Sequence, residues 1–161
     1  MEMTNLGAAL KFTMELETQA MKIYDNLVQL TKDTELEGTF LAFSGSCKKR
    51  KSMMENLYNE NVYSDQDSGI FEPLPGMNGA DYLTTTDPTN ELKNYPAILK
   101  LAIEMEEKSN RFYLDLAAQL KSRRRGVARN FEKMAQENYD RNLKLQSLYE
   151  PLENLHGIER R

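Results

Sequence analysis

The sequence predicts an all-α protein, a four-helix bundle made of two helical hairpins with a long crossover between the second and third helices. Three observations predict it. Leu, Met, Ala, Glu and Lys are abundant, Trp is absent, and Val and Ile are few, a composition that favours helix over strand. Four stretches repeat apolar residues in alternating steps of three and four, the period of an amphipathic helix. Between the second and third stretches, a segment of about 35 residues rich in Gly, Pro, Asp, Asn and Thr reads as loop.

The first helix is expected over roughly 5–30, with Leu10, Met14, Glu17, Met21, Tyr24 and Val28 on one stripe and Thr4 as its N-cap. A short connector leads into the second, roughly 35–58, striped by Phe40, Phe43, Cys47, Arg50, Met54 and Leu57. The crossover spans about 59–95. The third helix, roughly 96–120, opens on Pro96, a good first-turn residue, and carries Leu99, Ile103, Glu106, Asn110, Tyr113 and Ala117. The fourth, roughly 123–150, has Ser122 as its candidate cap and presents Phe131, Met134, Asn138, Arg141, Leu145 and Leu148 before Pro151 ends it. Short connections make helices one and two, and three and four, antiparallel neighbours, while the long link joins the two hairpins.

The bulk numbers narrow the function. The 161 residues suit one domain, spanning 1–161, with a full core. No apolar run is long enough to span a bilayer, and the start MEMTNLGAAL carries no basic, hydrophobic signal region, so a cytoplasmic protein is expected. The lone Cys47 excludes an internal disulfide and any CxxC metal site. The lone His156 reads as a solvated or capping tail residue; one histidine cannot supply an HExxH zinc helix or a pair of Glu-x-x-His motifs. A net charge of −4 argues against a nucleic-acid binder. The basic runs KKRK (48–51) and KSRRR (121–125) fit solvated helix faces, with an anion or acidic-partner patch as the alternative.

The chain repeats itself. Residues 8–27 laid over 97–116 match at seven of twenty positions, including Glu15/Glu104, Glu17/Glu106 and Tyr24/Tyr113. Residues 40–58 laid over 131–149 match at Phe40/Phe131, Arg50/Arg141, Leu57/Leu148 and Tyr58/Tyr149. Polar residues matched on apolar stripes set Glu17 and Glu106 apart, because a carboxylate facing a core is costly unless a cation meets it.

This pattern resembles the ferritin-like superfamily, and within it the rubrerythrin-like branch, over all four helices. The resemblance rests on Glu17 six residues before Ile23-Tyr24, on Glu106 six before Phe112-Tyr113, and on the frame Phe131, Met134, Ala135 and Leu145. In that family the second and fourth helices add a Glu-x-x-His each, and the six ligands hold two iron ions. Here Cys47 and Asn138 stand where glutamate is expected, and Arg50 and Arg141 where histidine is expected. Arginine offers a metal no lone pair and stays protonated. Two Glu and two Arg sum to zero charge, so the expectation is internal salt bridges, Glu17 with Arg50 or Arg141 and Glu106 with the other, and no cofactor.

The resemblance thus implies a protein with a degenerate di-iron site, non-catalytic and structural or interacting in role, pairing as a homodimer through helix faces. The alternative is a rubrerythrin-like oxidoreductase, detoxifying peroxide with a remodelled metal site on Glu17, Glu106 and neighbouring acids. Blander readings stand beside both. Glu17 and Glu106 at the stripe's edge would reach water, and Glu15, Glu104 and Glu107 fall off the stripe. Cys47 on a core stripe is most simply a small apolar residue, unless Arg50 makes it a reactive thiolate. Tyr24 and Tyr113 match family positions that hydrogen-bond the metal carboxylates; here they read as core tyrosines supporting the salt bridges.

Overall fold

The computed structural model describes residues 3, 5–62, 73–74, 77–84 and 94–156. They form four long helices and no strand: α1 (Leu6–Leu30), α2 (Leu36–Val62), α3 (Tyr95–Leu120) and α4 (Arg125–His156). Side chains close several of the helix ends. Asn5 caps α1, its carboxamide oxygen accepting from the Ala8 amide at 2.8 Å; the expected cap, Thr4, lies outside the described residues. Asn94 caps α3 in the same way, ahead of Pro96 in the first turn. At the end of α1 the Thr31 hydroxyl donates to the Leu27 carbonyl at 2.7 Å. Asp33 then turns the chain in a left-handed conformation (φ 66°) that a short acidic side chain tolerates.

Three sequence expectations need correction here. Ser122 does not cap α4: it sits in the turn that closes α3, and the first α4 carbonyl bond runs from the Ala128 amide to Arg124. Pro151 does not end α4, which continues to His156. Proline removes one amide donor from the ladder, and beyond it Leu152 packs on the core and Glu153 is buried, so tertiary packing carries the helix past the break. The crossover is also not loop throughout, since α2 extends to Val62, α3 begins at Tyr95, and Gly79–Asp81 form a 3₁₀ turn.

That turn belongs to a plug packed along α1 and α3, from Asn5 at the start of α1 to Gln19 and Lys108 midway along the two helices. Pro73 bridges to Asn5, and the Met3 amide donates to the Met77 carbonyl at 2.9 Å. Leu74, Met77 and Tyr82 are buried against Phe12 and Phe112, and the Tyr82 hydroxyl donates to Asp115 at 2.7 Å. Gln19 and Lys108 reach up to the carbonyls of Thr84 and Leu83.

Helix pairing follows the hairpins. The contacts of α1 with α2, and of α3 with α4, are the most extensive; α1 meets α3 over a shorter stretch, and the other helix pairs, α2 with α4 among them, meet less. The apolar core falls into two clusters. One gathers Phe12, Leu16, Phe112, Leu116, Phe131 and the plug, the other Ile23, Leu27, Phe40, Ile98, Met105 and Leu145. Each fully buried large side chain contributes about 1.5–3 kcal/mol. Between the two clusters lies a layer of buried polar and charged groups.

Candidate functional site

Glu17 and Glu106 are both inside, at 2% and 1% exposure, and so are Arg50 (4%), Arg141 (7%), Asn138 (1%) and Cys47 (0%). The reading in which the two acids reach water is thereby excluded. Helical spacing brings this about. Glu17 and Glu106 fall on the inward stripes of α1 and α3, and Cys47/Arg50 and Asn138/Arg141, each pair three residues apart, share the inward faces of α2 and α4. Glu15, Glu104 and Glu107 are exposed, and Glu104 is spent on Lys108 at 3.1 Å on its own helix.

Each arginine pairs with the acid of its own hairpin. Arg50 Nη1 lies 3.5 Å from Glu17 Oε2, and Arg141 Nη1 lies 3.2 Å from Glu106 Oε1. Each tyrosine instead serves the opposite hairpin: Tyr24 donates to Glu106, and Tyr113 to Glu17. The arginines cross as well. Arg50 Nη1 donates to Asn138 Oδ1 at 2.5 Å and Nη2 to Glu137 at 2.8 Å, while Arg141 Nη1 meets Cys47 Sγ at 3.6 Å and Nη2 donates to Ser46 Oγ at 3.1 Å. Cys47 and Asn138, like Ser46 and Glu137, occupy equivalent positions in the repeat, so the layer has an approximate twofold symmetry. Behind the tyrosines, Tyr24 stacks on Phe40 (6.5 Å between ring centroids) and Tyr113 on Phe131 (5.8 Å), again equivalent pairs.

The electrostatics follow from burial and pairing. Burial pushes the Glu106 carboxyl up, against the pull of Arg141 and the Tyr24 hydroxyl. Burial pulls Arg50 down, but Glu17, Tyr113 and Glu137 together outweigh it and the guanidinium ends above its ordinary value; Arg141 follows the same course, raised by Glu106 with Cys47, Tyr24 and Glu17. Tyr24 and Tyr113 are pushed well up by burial and by the carboxylates they face. Burial drives the Cys47 thiol far up, with Glu17 adding to the rise, so it stays a protonated, enclosed thiol rather than the reactive thiolate that Arg50 would favour.

The symmetry breaks at one point. Ser46 is neutral, while its counterpart Glu137 is a 47%-exposed carboxylate on Arg50. Sequence reasoning missed Glu137, and Ser46 as well, because both lie one residue before a stripe position. The repeat alignment, which pairs 46 with 137, was the signal that could have found them.

A family model, Rubrerythrin, matches residues 97–158, the second hairpin. No curated protein and no solved structure matches the chain. The match agrees with the ferritin-like, rubrerythrin-like resemblance drawn from the residues. The donor set does not fit the two iron ions of that family. The layer holds two carboxylates, a protonated thiol, a carboxamide and two guanidiniums, which carry no lone pair for a metal. Each carboxylate already takes a phenol and a guanidinium on one oxygen, leaving Glu17 Oε1 and Glu106 Oε2 without a hydrogen-bond donor. Among the described residues, no three His, Cys, Asp or Glu side chains converge as a metal site would require.

Proposed function

We propose that this rubrerythrin-like chain is a non-catalytic member of its branch, acting as a structural or interaction protein, with two Glu–Arg pairs standing where the family would hold metals. The observation that carries this reading is the pairing of Glu17 with Arg50 and of Glu106 with Arg141 inside one buried layer. A guanidinium supplies positive charge and directed hydrogen bonds to a carboxylate, so the layer is neutralised by its own side chains. The six positions Glu17, Cys47, Arg50, Glu106, Asn138 and Arg141 are read as vestigial ligand positions within one domain spanning the chain.

The reading extends to assembly and compartment. A homodimer formed through helix faces is supported by the resemblance and by exposed Leu41 and Met53 on α2 and Tyr139 and Leu143 on α4; a monomeric mass by light scattering would remove it. A cytoplasmic location is supported by the single, unpaired cysteine, and no described helix is long and apolar enough to cross a membrane.

Elemental analysis of protein produced with iron and manganese supplied tests the central point. Metal well below one ion per chain, with no peroxide turnover, is expected. Stoichiometric iron or manganese would overturn the reading in favour of a remodelled redox site.

A further inference from the structure

A cleft of about 510 Å3 opens between α2 and α4. Space of that size suits a small organic molecule. Gly45 borders it, and nothing lies within 4 Å of where a Cβ would stand there. No close helix approach demands glycine, although a mid-helix glycine costs about 1 kcal/mol against alanine. What the missing side chain does is leave the cleft open. Met53 and Met134 supply the apolar lining, and the charged lining is Lys49, Arg50 and Lys133 against a single acid, Glu137.

Arg50 is the buried member of that set, with its side chain 4% exposed. Its Nη1 is used by Asn138 and Glu17, and its Nη2 by the Met134 carbonyl and by Glu137. Its Nε is buried without any hydrogen-bond partner. Nε–H and one terminal N–H of a guanidinium share an edge that matches the two oxygens of a single carboxylate. In this chain Nη2 holds one oxygen of a half-exposed side chain while Nε stays idle. Glu137 is thus an internal stand-in that satisfies Arg50 incompletely.

The geometry points to the α2–α4 cleft as a binding site for a small monocarboxylate with an apolar tail, its head displacing Glu137 from Arg50 and its tail lying along Gly45, Met53 and Met134. Lys49 and Lys133, both exposed at the cleft, favour an anion over a neutral molecule. Binding here breaks no covalent bond, and it goes beyond the metal-free reading without depending on it.

Calorimetric titration of the full chain with sodium hexanoate tests the site, with hexan-1-ol and inorganic phosphate as comparison probes. Saturable one-site binding of hexanoate is expected, and none of hexan-1-ol. Glu137→Gln removes the competing carboxylate and tightens hexanoate about tenfold. Gly45→Phe, placed in open space on a helix, weakens it at least about tenfold with the helical circular dichroism unchanged; should that variant not fold, Gly45→Leu serves. Failure of hexanoate to saturate both the wild type and Glu137→Gln overturns the proposal. So does wild-type affinity in a folded Gly45 variant, or binding of phosphate in place of hexanoate. Metal content is read separately, so this outcome and that of the metal analysis cannot be confused.

Discussion

Tyr24 on the first hairpin donates its hydroxyl proton to Glu106 on the second, 82 residues away. Tyr113 returns the same bond to Glu17. Each acid is therefore held by an arginine from its own hairpin and a phenol from the other, so loss of a phenol should loosen the contact between hairpins. Tyr24→Phe and Tyr113→Phe should each cost about 1–3 kcal/mol, the range for stranding a buried acceptor. The repeat predicts similar costs for the two, read as shifts in urea midpoint at constant slope. A cost for only one would show the symmetry to be geometric and not energetic.

Removing a cation should cost more than removing a phenol. Arg141→Met leaves Glu106 buried with no opposite charge from its own hairpin, and a loss of about 3–5 kcal/mol is expected. Adding Glu106→Gln to that variant should recover much of the loss, because the stranded charge disappears with its partner. A double variant no more stable than Arg141→Met would refute the pairing as the source of the cost.

The acid itself gives a pH signature. Burial raises the folded-state value of Glu106 above the ordinary 4.5. The stabilisation linked to its proton is present below pH 4.5 and is lost as pH rises through the folded value. The melting temperature of the wild type minus that of Glu106→Gln should therefore fall as pH is raised from 4.5. A difference that stays flat or grows would show that pairing with Arg141 outweighs burial.

If the vacated positions are ligand positions, refilling them should restore a metal centre. The variant carrying Cys47→Glu, Arg50→His, Asn138→Glu and Arg141→His presents four carboxylates and two imidazoles from four helices, the donor set of a carboxylate di-iron site. It should take up about two iron ions per chain where the wild type takes up none in proportion. A folded variant that gains no metal would sink the vestigial-site reading while leaving the fold intact.

The plug carries its own test. A Cβ at Gly79 would lie 2.7 Å from Phe12 Cε1, inside a ring contact with Phe112 that leaves Phe12 little room. Gly79→Ala should destabilise by about 1–3 kcal/mol through overpacking. An unchanged melting temperature would mean the plug lifts away at little expense.

How much of this was legible in the sequence varied with the kind of signal. The inward placement of Glu17, Arg50, Glu106 and Arg141 followed from helical spacing, because a charged residue on an apolar stripe keeps its phase whatever surrounds it. The choice of partner did not follow: spacing left Glu17 free to meet either arginine, and only the packing of α1 on α2 settled Arg50. Helix ends were harder still. Pro151 carries a strong local stop signal that buried Leu152 and Glu153 override, and Asn5 competes with Thr4 for one cap with similar chemistry. The plug was hidden because Gly and Pro marked its turns while Leu74, Met77 and Tyr82, too few and too scattered to show a period, marked its burial.

The polar layer between the two apolar clusters also acts as an index mark. Leucine and phenylalanine are interchangeable enough that a wholly apolar bundle can shift one helix along another by a turn, about 5.4 Å, and still bury its stripes. A shift of that size here would carry Arg50 away from Glu17 and Asn138 together, and Tyr113 away from its acid, leaving several groups stranded for one displacement. The layer therefore tells the hairpins where along their length to stop, a positional instruction that the hydrophobic stripes above and below it do not contain.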